Sequence, residues 1–206
     1  MAGKLRRQRR RKPVVLVTGF EPFGPIALNP SEAIARALDG RRVAGARIVG
    51  RVLPVALARI NDAVRTALRD TRPDLVLALG VARATHAIRI ERRATNRADF
   101  EIADNDGTQV AGALLDPAGP ASRTTRLPLK RLARAIGRAR VGVRHSTDAG
   151  AYLCNAGYFA FLGTPTPCVF LHLPPVSAMP LRAQRRAVEA VLKELVSSAG
   201  ARGPSG

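Results

Sequence analysis

One cysteine follows a turn of small residues and begins an apolar segment, a position that favours a reactive thiol. Residues 146–152 lead up to Cys154, and the ten residues from 153 to 162 predict an apolar helix. The first turn of a helix offers unpaired backbone N–H groups and a partial positive charge, and both stabilise a thiolate. Cys154 is therefore a candidate nucleophile, which would need a base and a group that orients the base.

Three histidines are the candidates for that base. His172 lies at or near the end of a predicted strand that directly follows the cysteine helix, and strand ends in layered α/β folds converge on one edge of the sheet. A buried core histidine with one nitrogen bonded to the backbone is an equal alternative for this position. His145 and His86 lie on less firmly fixed segments, so His172 is the leading candidate.

The orienting group must be an acid that reaches the distal nitrogen of the histidine. Glu91 lies in the region just beyond an apolar strand candidate, although its position alone favours an exposed, salt-bridged glutamate over a catalytic one. Cys168 is typical of a small buried residue in a strand. No Cys, His or carboxylate pair has the spacing of a metal site, and no glycine-rich phosphate loop is present, so we expect neither metal nor cofactor.

Alternating strands and helices must position these residues. The pattern predicts a single-domain, three-layer α/β/α sandwich with a mostly parallel, twisted central sheet, in which ligands bind beyond the carboxyl ends of the strands. Residues 88–107 are charged and irregular, and 108–127 indicate a loop with some strand. Strands are predicted at 14–18, 48–55, 75–79, 141–144 and 168–173, and helices at 30–39, 58–70, 128–140, 153–162 and 181–196.

The charge is concentrated at the start of the chain. The 206 residues carry a formal net charge of +19, and seven of the first twelve residues are Lys or Arg, with no acid among them. We expect a basic disordered tail at 1–12, one domain at 13–198 and a flexible C-terminal tail at 199–206. The basic tail could contact nucleic acid non-specifically, but 4% aromatic residues and no Trp do not indicate a base-stacking platform.

The remaining composition favours a cytoplasmic protein. The two cysteines do not make a disulfide framework, and no apolar run approaches the roughly 20 residues that a membrane span needs. The basic N-terminus lacks the apolar stretch of a secretory signal. We therefore expect a reduced, cytoplasmic protein with no membrane segment.

Several blocks of the chain together resemble the pyroglutamyl peptidase I family of cysteine peptidases, also called pyrrolidone-carboxylate peptidases. The blocks occur in the family's order between about residues 14 and 175; each alone is weak, but together they are specific. The first is Val17-Thr18-Gly19-Phe20-Glu21-Pro22-Phe23-Gly24, followed by Asn29-Pro30-Ser31, Ile88, Glu91-Arg92, Asn96, Asp104-Asn105, Ala149-Gly150, Cys154-Asn155 and residues 170–174.

This resemblance implies a role for each candidate. Cys154 would be the nucleophile, His172 the general base and acid, and Glu91 the orienting carboxylate of a Cys-His-Glu triad that works through a thioester. The family resemblance also implies that Phe20 and Phe23 line the pocket for the five-membered lactam ring and that Asn29 belongs to the same region. Val81 and Leu153 complete the substrate-binding candidates.

The sequence departs from the family pattern after the third predicted strand. The family commonly carries Gln-Ala-Gly-Gly-Arg there, whereas this chain has Val81-Ala82-Arg83-Ala84-Thr85. A site built to hydrogen-bond a polar ligand loses discrimination when one partner is missing. The catalytic trio can thus be intact while recognition of the ring is altered.

The resemblance implies a peptidase that removes N-terminal pyroglutamate from small peptides and that forms homo-oligomers, dimers or tetramers. Two alternatives stay open. One is a divergent or inactive family member with altered pocket specificity. The other is a basic nucleic-acid-binding protein in which Cys154 is merely structural.

Overall fold

A seven-stranded sheet forms the centre of the fold in the computed structural model, which describes residues 11–201. Strands β6 and β7 form a separate two-stranded sheet beside it. The strands are β1 (Val14–Phe20), β2 (Arg42–Val43), β3 (Ala46–Leu53), β4 (Leu75–Val81), β5 (Ile88–Glu91), β6 (Arg93–Thr95), β7 (Ser122–Thr124), β8 (Val143–Ser146) and β9 (Cys168–Leu173).

Helices connect most of these strands. They are α1 (Pro30–Leu38), α2 (Leu57–Thr71), α3 (Leu129–Arg138), α4 (Leu153–Leu162) and α5 (Leu181–Ala201). Along the described part of the chain, no helix is both long enough and apolar enough to span a membrane.

The strand order in the large sheet is β2-β3-β1-β4-β9-β5-β8. Strands β3, β1, β4 and β9 run parallel to one another, while β5 pairs antiparallel with β9 and parallel with β8. The sheet is therefore mostly parallel, as the sequence predicts. Because β5 pairs with β9, Glu91 and His172 lie on neighbouring strands.

Helices cover both faces of the sheet. One face packs against α1, α3 and α5, and its core includes Leu38, Ile136 and Val191. The other face packs against α2 and α4, with Ile60 and Tyr158 in the core. The predicted three-layer α/β/α sandwich is thereby confirmed.

Two residues explain why α1 begins where it does. Asn29 caps the helix, accepting a hydrogen bond from the backbone N–H of Ser31 at 3.1 Å, and Pro30 occupies the first helical position. Both residue types are favoured at these places because the first helical N–H groups lack intrahelical partners. The predicted start of the first helix is confirmed.

Two local predictions are wrong. Residues 88–107 contain strands β5 and β6 and are not irregular throughout. Ile88 and Ile90 alternate with Arg89 and Glu91, but four residues of alternation among charged neighbours are too few to predict a strand. Helix α5 continues to Ala201, past its predicted end at residue 196.

The basic N-terminal segment falls mostly on residues 1–10, which lie outside the described residues, and so does the end of the chain after Ala201. Within the described part, Arg11 forms an ion pair with Asp74 at 2.5 Å. The other oxygen of the Asp74 carboxylate accepts from the backbone N–H of Val14 at 2.7 Å. The basic run therefore contacts the domain through Arg11.

Strand β3 and helix α1 pack closely at Gly50, which allows the packing to be tested. A Cβ atom at Gly50 would lie 2.1 Å from the backbone oxygen of Ala35, whereas a Cβ at Gly137, in α3, meets nothing within 4 Å. We expect Gly50→Ala to lower the free energy of unfolding by about 1–3 kcal/mol, because backbone must move. Gly137→Ala should leave it unchanged or raise it by up to about 1 kcal/mol. Urea denaturation of both variants measures the difference, and equal stabilities would contradict the packing described.

Candidate active site

A cavity of about 540 Å³ opens beyond the carboxyl ends of β4 and β9. Cys154 from α4 and His172 from β9 both line it, as does Val81 from the end of β4. This is the edge at which ligands gather in parallel α/β sheets. The other walls include Phe23, Arg83, Phe100, Ile102, Tyr152 and residues 149–151.

Cys154 occupies the second position of α4 and is 8% exposed. The residue that precedes the helix, Tyr152, makes no side-chain capping hydrogen bond to it. The first N–H groups of a helix have no intrahelical acceptor, so they point toward the end where the thiol lies. The helix start therefore supplies both a favourable dipole for a thiolate and candidate donors for a developing oxyanion.

Gly80 makes room for the thiol beside the histidine. It lies directly across from His172 in the β4–β9 register. A Cβ atom added at Gly80 would lie 2.6 Å from Cys154 Sγ and 2.7 Å from Phe170 Cζ. Because glycine has no side chain, the sulfur can pack onto the strand beside His172.

The far nitrogen of His172 contacts Glu91. His172 Nδ1 lies 2.8 Å from Glu91 Oε1, and the glutamate side chain is 0% exposed. An ionised carboxylate only accepts hydrogen bonds, so Nδ1 carries the proton and donates it. This fixes the ring tautomer and leaves Nε2 available for the thiol side.

Opposing effects act on the protonation of His172. Burial disfavours the imidazolium, but the negative charge of Cys154, its hydrogen bond and the hydrogen bond and charge of Glu91 outweigh burial and raise the pKa of His172 to about 9. A thiolate and an imidazolium favour each other in this arrangement. The pair can thus hold a proton ready for a leaving group near neutral pH.

Asn155 anchors the first turn of α4. Its side-chain amide donates to the carbonyl oxygens of Thr95 and Arg97, both at 2.9 Å, and its oxygen accepts from the N–H of Thr95 at 2.8 Å. The side chain is fully buried. Three hydrogen bonds to backbone therefore hold the start of the helix, and Cys154 with it, against β6 and the residues that follow.

Aromatic side chains form one wall of the cavity. The ring of Tyr152 lies 4.7 Å from that of Phe100 and 5.5 Å from that of Phe23. Burial, with the nearby charges of Asp104 and Cys154, raises the pKa of Tyr152 to about 12, so its hydroxyl stays protonated and donates to the carbonyl of Ala103. The wall offers an apolar surface for a small ring.

Known proteins resemble this chain in sequence and in fold. A family model described as pyroglutamyl peptidase matches residues 13–189. The chain is 33% identical over 206 residues to the pyrrolidone-carboxylate peptidase of Pyrococcus furiosus, covering 88% of this chain and 99% of that protein. It is 40% identical over 148 residues to the protein of that name from Yersinia pestis, covering 72% and 69%.

This chain belongs to the pyroglutamyl peptidase family. Solved structures agree: pyrrolidone carboxyl peptidase from Thermococcus litoralis superimposes with a TM-score of 0.87 at 32% identity, covering 92% of this chain and 96% of that one. A mutant pyrrolidone carboxyl peptidase from Pyrococcus furiosus gives a TM-score of 0.86 at 30% identity, covering 90% and 99%. The family resemblance found in the sequence is confirmed.

Not every pocket candidate drawn from the pyroglutamyl peptidase resemblance reaches the cavity. Phe23 and Val81 line it. Phe20 and Leu153 are each 1% exposed and pack in the core beneath it. Asn29 is also buried and donates to the carbonyl of Glu21 at 3.0 Å, so it braces the loop that carries Phe23.

The sequence did not predict every residue that lies near the site. Phe100, Ile102 and Tyr152 line the cavity, but the first two lie in a segment interpreted as irregular. The one sequence signal for Phe100 and Ile102 is that they are apolar residues among charged neighbours. Arg89 lies 3.2 Å from Glu91 Oε1, and the alternation of β5 would have placed both on one face had the strand been predicted.

We expect Glu91→Gln to lower the pKa of His172, because the amide removes the carboxylate charge that stabilises the imidazolium. The wild-type protein, titrated in the same way, is the reference. Histidine NMR signals followed against pH measure the change. The matched control is Glu189→Gln, which removes a carboxylate on α5 that pairs with Arg185 and does not contact the site. An unchanged His172 titration in Glu91→Gln would contradict the assignment of the contact.

Proposed function

We propose that this chain is a cysteine peptidase that hydrolyses the bond after an N-terminal pyroglutamyl residue of peptides. One observation carries the proposal: Cys154 and His172 line the same cavity, and the distal nitrogen of His172 is bonded to buried Glu91. This arrangement supports Cys154 as nucleophile, His172 as base and Glu91 as orienting acid, the three groups that thiol catalysis requires. Family membership supports this chemistry, because the relatives are named pyrrolidone-carboxylate peptidases.

In the first half of the reaction, the Cys154 thiolate attacks the carbonyl carbon of the pyroglutamyl residue. The carbonyl oxygen becomes an oxyanion, and the N–H groups that begin α4 are placed to stabilise it. His172 then gives its proton to the amine nitrogen as the C–N bond breaks. The shortened peptide leaves with a free amine, and the pyroglutamyl group stays on the sulfur as a thioester.

In the second half, water attacks the thioester. His172, now neutral, accepts a proton from the water, and Glu91 holds the ring in the same orientation. The C–S bond breaks, pyroglutamate leaves as a free acid, and the thiolate–imidazolium pair is restored. The cycle consumes one water and needs no redox partner.

The aromatic wall is suited to the lactam ring. Phe23, Phe100 and Tyr152 give an apolar, aromatic surface within the cavity that holds Cys154. A five-membered ring is small and partly apolar, so burial against such a wall favours its binding. The roles of these residues, and of Val81 beside them, are part of the proposal.

The alternative of altered specificity rests on Val81. This side chain ends β4, lines the cavity and is 5% exposed. It supplies no hydrogen bond at a place where the family commonly has an amide. The second alternative, a nucleic-acid-binding protein with a structural cysteine, has less support because Cys154 lies beside a His–Glu pair inside a cavity.

Further features stay predictions. They are a dimer or tetramer, a cytoplasmic location, and nucleic-acid contact through the basic residues, of which 1–10 lie outside the described range. Within that range, no group of three or more His, Cys, Asp and Glu side chains is arranged to hold a metal ion.

Release of an amine from a pyroglutamyl amide tests the activity. We expect Cys154→Ala to reduce kcat on the order of 10⁴-fold or more, because the nucleophile is lost. The matched control is Cys168→Ala, since Cys168 is buried in β9 and burial raises the pKa of its thiol. That variant should retain release. If the wild-type protein releases no more amine than Cys154→Ala does, the peptidase proposal is contradicted.

The specificity alternative has its own test at Val81. We expect Val81→Gln to raise the ratio of kcat/KM for pyroglutamyl over prolyl amide by about fivefold to tenfold, as one added hydrogen bond allows. Prolyl amide has a five-membered ring without the lactam carbonyl. Val81→Met, of similar length without an amide, is the control and should leave the ratio unchanged. Equal ratios in both variants would show that the residue at this position does not set recognition of the ring.

A further inference from the structure

Arg89 connects the triad acid to a wall of the cavity. Its Nε lies 3.2 Å from Glu91 Oε1, the oxygen that also accepts from His172. Its terminal nitrogen donates to Ser146 Oγ at 2.9 Å and to the carbonyl oxygen of Asp148 at 2.5 Å. One guanidinium therefore joins β5 to the wall loop, which we define as residues 146–151.

The strand register explains this placement. Arg89 lies directly across from His172 in the antiparallel β5–β9 pair. Side chains two residues apart on a strand share a face, so Arg89 and Glu91 point to the side of the sheet where His172 lies. Ile88 and Ile90 point to the other side, where they join the core beneath α3 and α5. The position of Arg89 is thus fixed by the same sheet that positions the triad.

The wall loop leads directly to Cys154. Ala149 and Gly150 line the cavity, and Gly150 has a φ of +80°, a backbone conformation that glycine adopts without strain. Asp148 accepts from the N–H of Gly150 at 2.9 Å through its side chain. The Arg89 bond to the Asp148 carbonyl therefore fixes the turn from which α4 starts.

The charge of Arg89 also bears on the triad. Within the described residues Glu91 Oε2 has no hydrogen-bond partner, so His172 and Arg89 share Oε1. When Cys154 is a thiolate and His172 an imidazolium, the guanidinium brings the four groups to zero net charge. Other charged or titratable groups surround the histidine. The cavity that it lines also contains Arg83, Arg97, Asp99, Glu101 and Tyr152. Arg144 lies opposite Arg89 on β8, Tyr158 belongs to α4 and Asp148 to the wall loop.

We propose that Arg89 is a positioning residue for the reaction, which holds the Glu91 carboxylate and the wall loop in one arrangement and balances the charge of the triad. The inference rests on the proposed function and deepens it. Arg89 acts through Glu91 and the loop rather than by touching the substrate, since it does not line the cavity.

A second arginine allows the two roles to be separated. Arg93 Nε donates to the carbonyl oxygen of Thr147 at 2.8 Å, so it too holds the wall loop. In the described contacts of the triad acid, Arg89 is the arginine that reaches Glu91. Loss of Arg93 therefore loosens the loop without removing a charge from the carboxylate.

The test measures alkylation of Cys154 by iodoacetamide against pH, with Cys154→Ala as the blank. Because loss of a nearby cation makes protonation of the triad easier, we expect Arg89→Gln to move the acid limb of the profile to higher pH by about one unit. Arg89→Lys keeps the charge and should leave the limb near its wild-type position. Arg93→Gln should leave the limb unmoved.

Turnover of the pyroglutamyl amide gives the second readout. Both Arg89→Gln and Arg89→Lys should lower kcat by about tenfold, because neither side chain can bridge the carboxylate and the loop as the planar guanidinium does. Thermal unfolding shows whether each variant is folded. If Arg89→Gln does not fold, Arg89→Lys carries the test: a lower kcat with an unmoved acid limb supports the proposal, and an unchanged kcat overturns it.

An acid limb for folded Arg89→Gln that coincides with wild type, or an equal shift in Arg93→Gln, also overturns the proposal. Alkylation needs no peptide substrate, so its result stands even if the wild-type chain releases no amine. In that case the peptidase proposal fails, while the alkylation profile still decides whether Arg89 acts on the triad.

Discussion

A glutamate carboxylate with no exposed surface lies at the centre of this structure, and the arrangement around it follows from the need to satisfy that charge. A buried carboxylate is costly unless ionic and hydrogen-bonding partners surround it. Glu91 obtains them from His172 and Arg89, and the hydroxyl of Tyr158 bonds its backbone oxygen at 3.0 Å. The antiparallel pairing of β5 with β9 makes this possible, because it brings the acid and the histidine onto adjacent strands.

Two further features of the structure place the thiol beside the histidine. Gly80 leaves space on β4 for the sulfur, and Asn155 hydrogen-bonds the first turn of α4 to the backbone of Thr95 and Arg97. Both act on placement rather than on chemistry. Since the reach of a hydrogen bond is short, small displacements of α4 would separate Cys154 from His172. The core beneath, with Phe20, Tyr158 and Phe170 packed together, resists such movement.

Much of the architecture could be predicted from the sequence because its signals are local. Long apolar runs such as Leu75–Val81 and the Asn29-Pro30 helix start follow rules that act within a few residues. Strand β5 was missed because four residues of alternation among charges give too weak a local signal. The positions of Phe20, Leu153 and Asn29, in the core rather than on the cavity, depend on how the layers pack, and motif position alone does not report this.

The sequence by itself determined the family, the layered fold and the three residues proposed for catalysis, because residue types at motif positions carry that information. Only the tertiary structure decided which atoms meet. It joined residues 81 positions apart in the Glu91–His172 contact, placed Cys154 over Gly80, and drew Arg89 to both the acid and the wall loop. The physical reason is that strand order and helix packing bring together residues distant in the chain, and these contacts leave no periodic or local trace in the sequence.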